Sequence, residues 1–133
     1  MTDEQKKPII IADDDPAILR LVKTLIEKEG YEVQTARDGK EAYKLLQSGT
    51  LFAAAVFDVV MPYIQGTELV RFMQSEKRLM NVPVIMMTAE QNPRISSDSF
   101  AAGAVAFLPK PFTTTQLQAM LRTCLQRSEN MSK

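Results

Sequence analysis

The sequence predicts an α/β protein in which a five-stranded parallel sheet is flanked by five helices. Three observations predict it. Short apolar runs alternate five times with stretches whose apolar residues recur at helical spacing. One run, residues 52–57, is unbroken apolar, the pattern of a strand buried on both faces of a parallel sheet. Gly, Pro and Asp punctuate the joins, where turns need them. Strands that alternate with helices imply right-handed crossovers and helices on both faces.

Each element has its own justification. Residues 1–7 read as a charged N-terminal tail, residues 8–127 as the single domain, and residues 128–133 as a polar C-terminal tail. Ile9–Ala12 is a short apolar strand, followed directly by Asp13, Asp14 and Asp15. Pro16 suits a first helical turn with Asp15 as its N-cap. Ile18, Leu21, Val22 and Leu25 continue that helix, and Gly30 is placed to end it. Residues 31–36 alternate like a second strand. Asp38 and Gly39 then turn into a helix carrying Ala42, Leu45 and Leu46, closed by Gly49. The third strand, about 52–57, delivers Asp58. Pro62 and Gly66 break the chain before a third helix from about Thr67, with Leu69, Phe72 and Met73 inward. Residues 83–87 form the fourth strand and lead into Thr88. Asn92 and Pro93 start a fourth helix that Ser96, Ser97 and Ser99 make weak. Residues 105–108 are the fifth strand, ending in Pro109, Lys110 and Pro111. The last helix begins near Thr114 and aligns Leu117, Met120, Leu121, Cys124 and Leu125 on one face.

Composition narrows the function. A chain of 133 residues, 45% of them hydrophobic, can bury one core without disulfide or metal staples. Sixteen basic and sixteen acidic residues cancel, so no field favours nucleic acid or an anionic membrane. Cys124 is the only cysteine, which fits a reducing compartment. No stretch has the length of a membrane span, and the chain reads as cytoplasmic. Histidine is absent, which excludes His-based acid–base catalysis, His metal ligands and phosphorylation of its own histidine. Any phosphohistidine involved belongs to a partner.

The polar groups that remain fall at one edge. Asp13 and Asp14 follow the first strand, Asp58 the third, Thr88 the fourth and Lys110 the fifth. Parallel strands bring all these ends together, where open α/β sheets bind ligands. Three carboxylates crowded there repel one another and raise at least one pKa unless a cation is present. A site of oxygens alone, without thiol or imidazole, suits a hard ion such as Mg²⁺. Metal, ammonium and hydroxyl around a carboxylate form the set that stabilises a transferring phosphoryl group. Asp58 is then the nucleophile that forms an acyl phosphate.

With these residues in order, the chain resembles a response-regulator receiver domain, the phosphoacceptor half of two-component signalling. The resemblance spans about residues 8–127. It rests on Asp13-Asp14, Asp58 with Met61-Pro62 and Gly66, Thr88-Ala89, and Lys110-Pro111-Phe112. It implies a flavodoxin-like receiver fold with strand order 2-1-3-4-5. By residue, it implies Asp58 as phosphoacceptor, and Asp13, Asp14, Asp58 and the Val60 carbonyl as Mg²⁺ ligands. Lys110 would pair with the phosphoryl oxygens through a bond to Pro111 that is usually cis. Thr88 and Phe107 would be the switch pair. Partners would be a histidine kinase or histidine phosphotransfer protein, and downstream a protein target or a second copy. That contact would use the face of the fourth helix, fifth strand and fifth helix. Val60 and Glu90 stand where relatives tune dephosphorylation, and Ala17, Ile18 and Arg20 are candidates for kinase specificity.

The size resembles stand-alone, chemotaxis-type receivers, which act as signalling proteins and catalyse only their own phosphorylation and dephosphorylation. An alternative is the same fold used as a docking module without phosphorylation, although the complete acidic set argues against it. A flavin-binding protein would need a hydroxyl- and amide-rich loop where Asp13, Asp14 and Asp15 stand. An aspartate-dependent phosphatase would need a second carboxylate where Val60 stands.

Overall fold

The computed structural model describes residues 7–90 and 92–131. Apart from Lys7, the expected N-terminal tail lies outside the described residues. Strands β1 (Ile9–Ala12), β2 (Val33–Ala36), β3 (Ala54–Asp58), β4 (Val84–Thr88) and β5 (Ala106–Pro109) form one parallel sheet in the order β2-β1-β3-β4-β5. Helices α1 (Pro16–Lys28), α2 (Gly39–Gln47), α3 (Gly66–Gln74), α4 (Pro93–Ala102) and α5 (Thr114–Met131) each follow a strand. The fold class and strand order are those expected.

The sheet separates two cores, because successive strand residues point to opposite faces. Ile10 and Ala12 of β1, Ala55 and Phe57 of β3, and Met86 of β4 meet α2, α3 and α4. Ile9 and Ile11, Ala54 and Val56, and Ile85 and Met87 meet α1 and α5. Strands β1, β3 and β4 are buried throughout, as double-sided coverage requires, whereas the edge strands β2 and β5 are only partly buried.

The caps read from sequence form. Asp15 accepts the Ala17 N–H at 2.9 Å, and Asp38 accepts the Glu41 N–H at 2.8 Å. Asn92 does the same for Arg94 at 3.0 Å. Gly30 follows α1 with φ 92, a left-handed backbone that glycine adopts at little cost.

Several boundaries move. Residues 31 and 32 precede β2 rather than belonging to it. Strands β3, β4 and β5 each end one residue later than expected, because Asp58 pairs with Met87 and Thr88 with Pro109 in the ladder. Asp58 and Thr88 are therefore the last residues of their strands, with backbones fixed by the sheet. Helix α3 starts at Gly66. Leu21, expected in the inward stripe of α1, is 37% exposed; Leu19 and Ile26 complete the buried stripe instead. Phe72 is half-buried and meets Tyr43 edge-on at 4.8 Å between ring centroids. Residues 128–131, expected within a C-terminal tail, continue α5 to Met131.

Candidate functional site

Four strand ends build the site, those of β1, β3, β4 and β5. Asp13 directly follows β1, and its backbone N–H donates to the Ala36 carbonyl at 3.2 Å, continuing the sheet by one residue. Asp58 ends β3, the central strand. Val59 continues past it by donating to the Met87 carbonyl at 2.8 Å. Lys110 follows β5 and donates its N–H to the Thr88 carbonyl at 2.8 Å. The peptide bond from Lys110 to Pro111 is cis.

These placements bring Asp13, Asp14, Asp58, Thr88 and Lys110 into one cleft of about 310 Å³, with Val60 and Glu90 also on its wall. One oxygen from each of Asp13, Asp14 and Asp58 lies within 4.8 Å of the others. Asp13 and Asp58 are buried, while Asp14 is open to solvent. The turn leaving β3 is held tightly. Gly66 N–H donates to the Val59 carbonyl at 2.9 Å, and a Cβ on Gly66 would collide with the Asp58 carbonyl oxygen. Glycine is what lets α3 start this close to the acceptor strand.

The charges are unequal in their compensation. Asp13 Oδ1 accepts the Asp15 N–H at 2.9 Å, and Asp13 Oδ2 accepts from Lys110 Nζ at 2.6 Å. Among the described residues, Asp58 has only the more distant Lys110 Nζ, 3.5 Å from its Oδ2. Burial, then repulsion from Asp13, pushes the Asp58 carboxyl up to about 7; Asp14 adds to this and Lys110 opposes it without cancelling it. Burial pulls the Lys110 ammonium down, but its hydrogen bond to Asp13 and the charges of Asp58 and Asp13 together hold it above its ordinary value.

The donor set fits a hard divalent cation. It comprises the carboxylates of Asp13, Asp14 and Asp58. Burial first, and then the neighbouring carboxylates of Asp13 and Asp14, raise the Asp58 carboxyl, and a cation in the cleft would favour its ionised form. Asp13, Asp14 and Asp58 are therefore the groups able to hold a cation such as Mg²⁺.

A receiver domain model, described as the response regulator receiver domain, matches residues 9–122. The chain belongs to this family. A CheY-like receiver domain protein from Methanospirillum hungatei superposes with a TM-score of 0.87 at 32% identity, covering 96% of this chain and 99% of its own. The chemotaxis response regulator CheY4 of Vibrio cholerae gives a TM-score of 0.83 at 31% identity, covering 91% and 100%. A probable transcriptional regulator, ycf27 of Cyanophora paradoxa, is 34% identical over 125 residues, which is 94% of this chain but 51% of the regulator. This receiver domain thus spans about half the length of the curated regulators it matches.

Thr88 and Phe107 part company in the structure. Thr88 is buried in the cleft, with its Oγ1 accepting the Glu90 N–H at 3.1 Å. Phe107 is half-buried outside it, in an adjoining hollow of about 250 Å³ bounded by Asn92, Pro93, Ser96 and Lys110. Its ring lies 6.5 Å from that of Phe100. Two features escaped the sequence. The close partner of Lys110 is Asp13 rather than Asp58, a matter of side-chain reach with no sequence signal. Tyr63, exposed on the turn after β3, has φ 74, a conformation that nothing in an aromatic residue advertises. Among the described residues no helix is long and apolar enough to cross a membrane.

Proposed function

We propose that Asp58 accepts a phosphoryl group from the phosphohistidine of a histidine kinase or histidine phosphotransfer protein. The observation that carries this reading is the position of Asp58. It is a buried carboxyl at the end of the central strand, beside two further carboxylates and 3.5 Å from an ammonium group. An Asp58 oxygen attacks phosphorus, the phosphorus–nitrogen bond of the partner breaks, and its electron pair leaves with the imidazole. Asp13, Asp14, Asp58 and the Val60 carbonyl would hold Mg²⁺, which when bound would supply charge neutralisation for the transferring group. Lys110 pairs with the phosphoryl oxygens, and Thr88 donates its hydroxyl to them once the contact with Glu90 yields. The protein acts as a signalling receiver whose catalysis is confined to its own phosphorylation and dephosphorylation. Val60 and Glu90, on the cleft wall, set the access of hydrolytic water.

The output face in this reading is α4, β5 and α5. Withdrawal of Thr88 frees space for Phe107 to turn inward. A groove of about 540 Å³ along β5 and α5, lined by Val105, Phe107, Ala119 and Met120 among others, supports this face as the contact for a protein target or a second copy. Phe100 and Val105 are exposed beside it. Neither nucleic acid nor membrane is a partner of these residues, and the site of action is the cytoplasm.

Intact mass tests the chemistry. After incubation with Mg²⁺ and acetyl phosphate or phosphoramidate, the wild type gains one phosphoryl group, roughly 80 Da, and Asp58→Asn gains none. A wild type that stays unlabelled beside a reactive control receiver would sink the phosphoacceptor reading and leave the docking module.

A further inference from the structure

The turn between β3 and α3 is held by α2, a helix that does not line the cleft. The Pro62 carbonyl accepts two amides, the Ile64 N–H at 2.9 Å and the Gly39 N–H at 3.2 Å. The first bond closes three residues around Tyr63, whose φ of 74 marks the rare, strained form of such a turn. The second comes from the first residue of α2. Asp38 caps Glu41, so the Gly39 amide is one that an α-helix leaves without an internal partner. Gly39 is buried, and a Cβ on it would overlap the Ile64 carbonyl oxygen. Its backbone is not left-handed, so glycine serves here for space rather than for conformation. Lys40 adds a further contact from the same helical turn, with Nζ 5.8 Å from the centroid of the Tyr63 ring.

We propose that Gly39 is a positioning residue for phosphoryl acceptance: from outside the cleft it clamps the apex of the turn that follows the acceptor strand. The inference rests on the phosphoacceptor reading and adds a remote support to it. A non-glycine residue at φ 74 persists only where its surroundings impose that backbone. The base of the turn is fixed by the sheet and by α3, through Val59 N–H on the Met87 carbonyl and Gly66 N–H on the Val59 carbonyl. Its apex has the Gly39 amide from α2. Releasing Pro62 lets Tyr63 relax out of the left-handed region and swings the apex. That swing passes along the backbone to Val60 on the cleft wall and to Asp58 at the end of β3. Phosphoryl transfer depends on positioning, so a small displacement there slows it. The tight approach at Gly39 thus serves the acceptor, although its Cα carries no chemistry of its own.

Gly39→Ala beside Gly49→Ala tests this. Gly49 has φ 89, so alanine is strained there too, but its Cβ meets nothing within 4 Å among the described residues. Both variants lose stability in urea; only Gly39→Ala disturbs the turn. Amide exchange followed by NMR, without Mg²⁺ or phosphodonor, reads the clamp directly. The Ile64 amide exchanges at least roughly tenfold faster in Gly39→Ala and at the wild-type rate in Gly49→Ala. Labelling by acetyl phosphate with Mg²⁺ reads the consequence. Gly39→Ala labels at least roughly tenfold more slowly than the wild type, and Gly49→Ala keeps the wild-type rate. Unchanged Ile64 exchange or unchanged labelling in Gly39→Ala overturns the inference. Its failure differs from that of the phosphoacceptor reading, which falls when the wild type itself takes no label. Should Gly39→Ala fail to fold, Tyr63→Asn and Tyr63→Val decide, since the Tyr63 side chain is exposed and asparagine accepts a left-handed backbone that valine resists. Tyr63→Val labels at least roughly tenfold more slowly than Tyr63→Asn, and equal rates refute the proposal.

Discussion

A carboxyl group held at about pH 7 is part-protonated in neutral, metal-free solution, and that is the state of Asp58. The sequence foretold repulsion among three acids but not which would bear it. Burial and partners decide that. Among the described residues, Asp14 faces solvent, Asp13 has two donors, and Asp58 has none nearer than 3.5 Å. The consequence for stability has a definite sign. The folded carboxyl binds its proton more tightly than the unfolded one, whose ordinary value is 3.8. Its contribution to stability is therefore complete below about pH 4 and is lost as pH rises through about 7. Asp58→Asn removes the ionisation. Without divalent cations, the wild type should lose stability relative to Asp58→Asn between pH 4.5 and pH 7.5, by on the order of a few kcal/mol. Urea unfolding of both proteins at three pH values measures this, and parallel pH profiles would refute it. Added Mg²⁺ should narrow the difference at pH 7.5.

At the scale of elements, α4 differs from its neighbours. Helix α1 buries Leu19, Val22, Leu25 and Ile26, whereas α4 buries only Ser99 and Ala102. Ser96 and Ser99 turn their hydroxyls back onto the Pro93 and Ile95 carbonyls at 3.1 and 2.7 Å, a contact that weakens and bends helices. The serines made this weakness legible in the sequence, because it follows from propensity and lack of apolar surface rather than from tertiary detail. Backbone amides of α4 should therefore exchange with solvent at least roughly tenfold faster than those of α1. Asn92→Ala, which deletes the N-cap acceptor for Arg94, should speed them further by about 1 kcal/mol of local opening. Equal protection in the two helices would remove the argument that α4 is the cheap element to move. Element ends were less legible. The extra residue at the end of β3 and of β4 comes from ladder pairing with a neighbouring strand, which no local pattern encodes. Leu21 shows the same limit of periodicity, since a leucine at the margin of a stripe can fall on either side of the surface.

For the whole molecule, alternation of strand and helix carried the fold class, because unbroken apolar runs such as residues 52–57 need cover on both faces. Periodicity does not say which strands are neighbours. The order β2-β1-β3-β4-β5 was expected from the resemblance to receiver domains, and the site followed from it, because that order sets β1, β3 and β4 side by side. What neither route gave is the division of labour between the cores. The sheet shares its strands but not its side chains. Leu46 of α2 lies in the core with Phe57, and Leu121 of α5 lies in the core with Val56, on the other side of the same strand. Truncating either leucine to alanine should cost about 2–5 kcal/mol, the usual range for a buried leucine that leaves a cavity. If the sheet separates the cores as rigidly as its buried central strands suggest, the two losses should add within about 0.5 kcal/mol in the double variant, as distant sites do. Urea unfolding of the two single variants and the double variant closes the cycle. A coupling above about 1 kcal/mol would mean that β3 shifts as a body when one face loses packing. The position of Asp58 at its end would then depend on the fill of both cores at once.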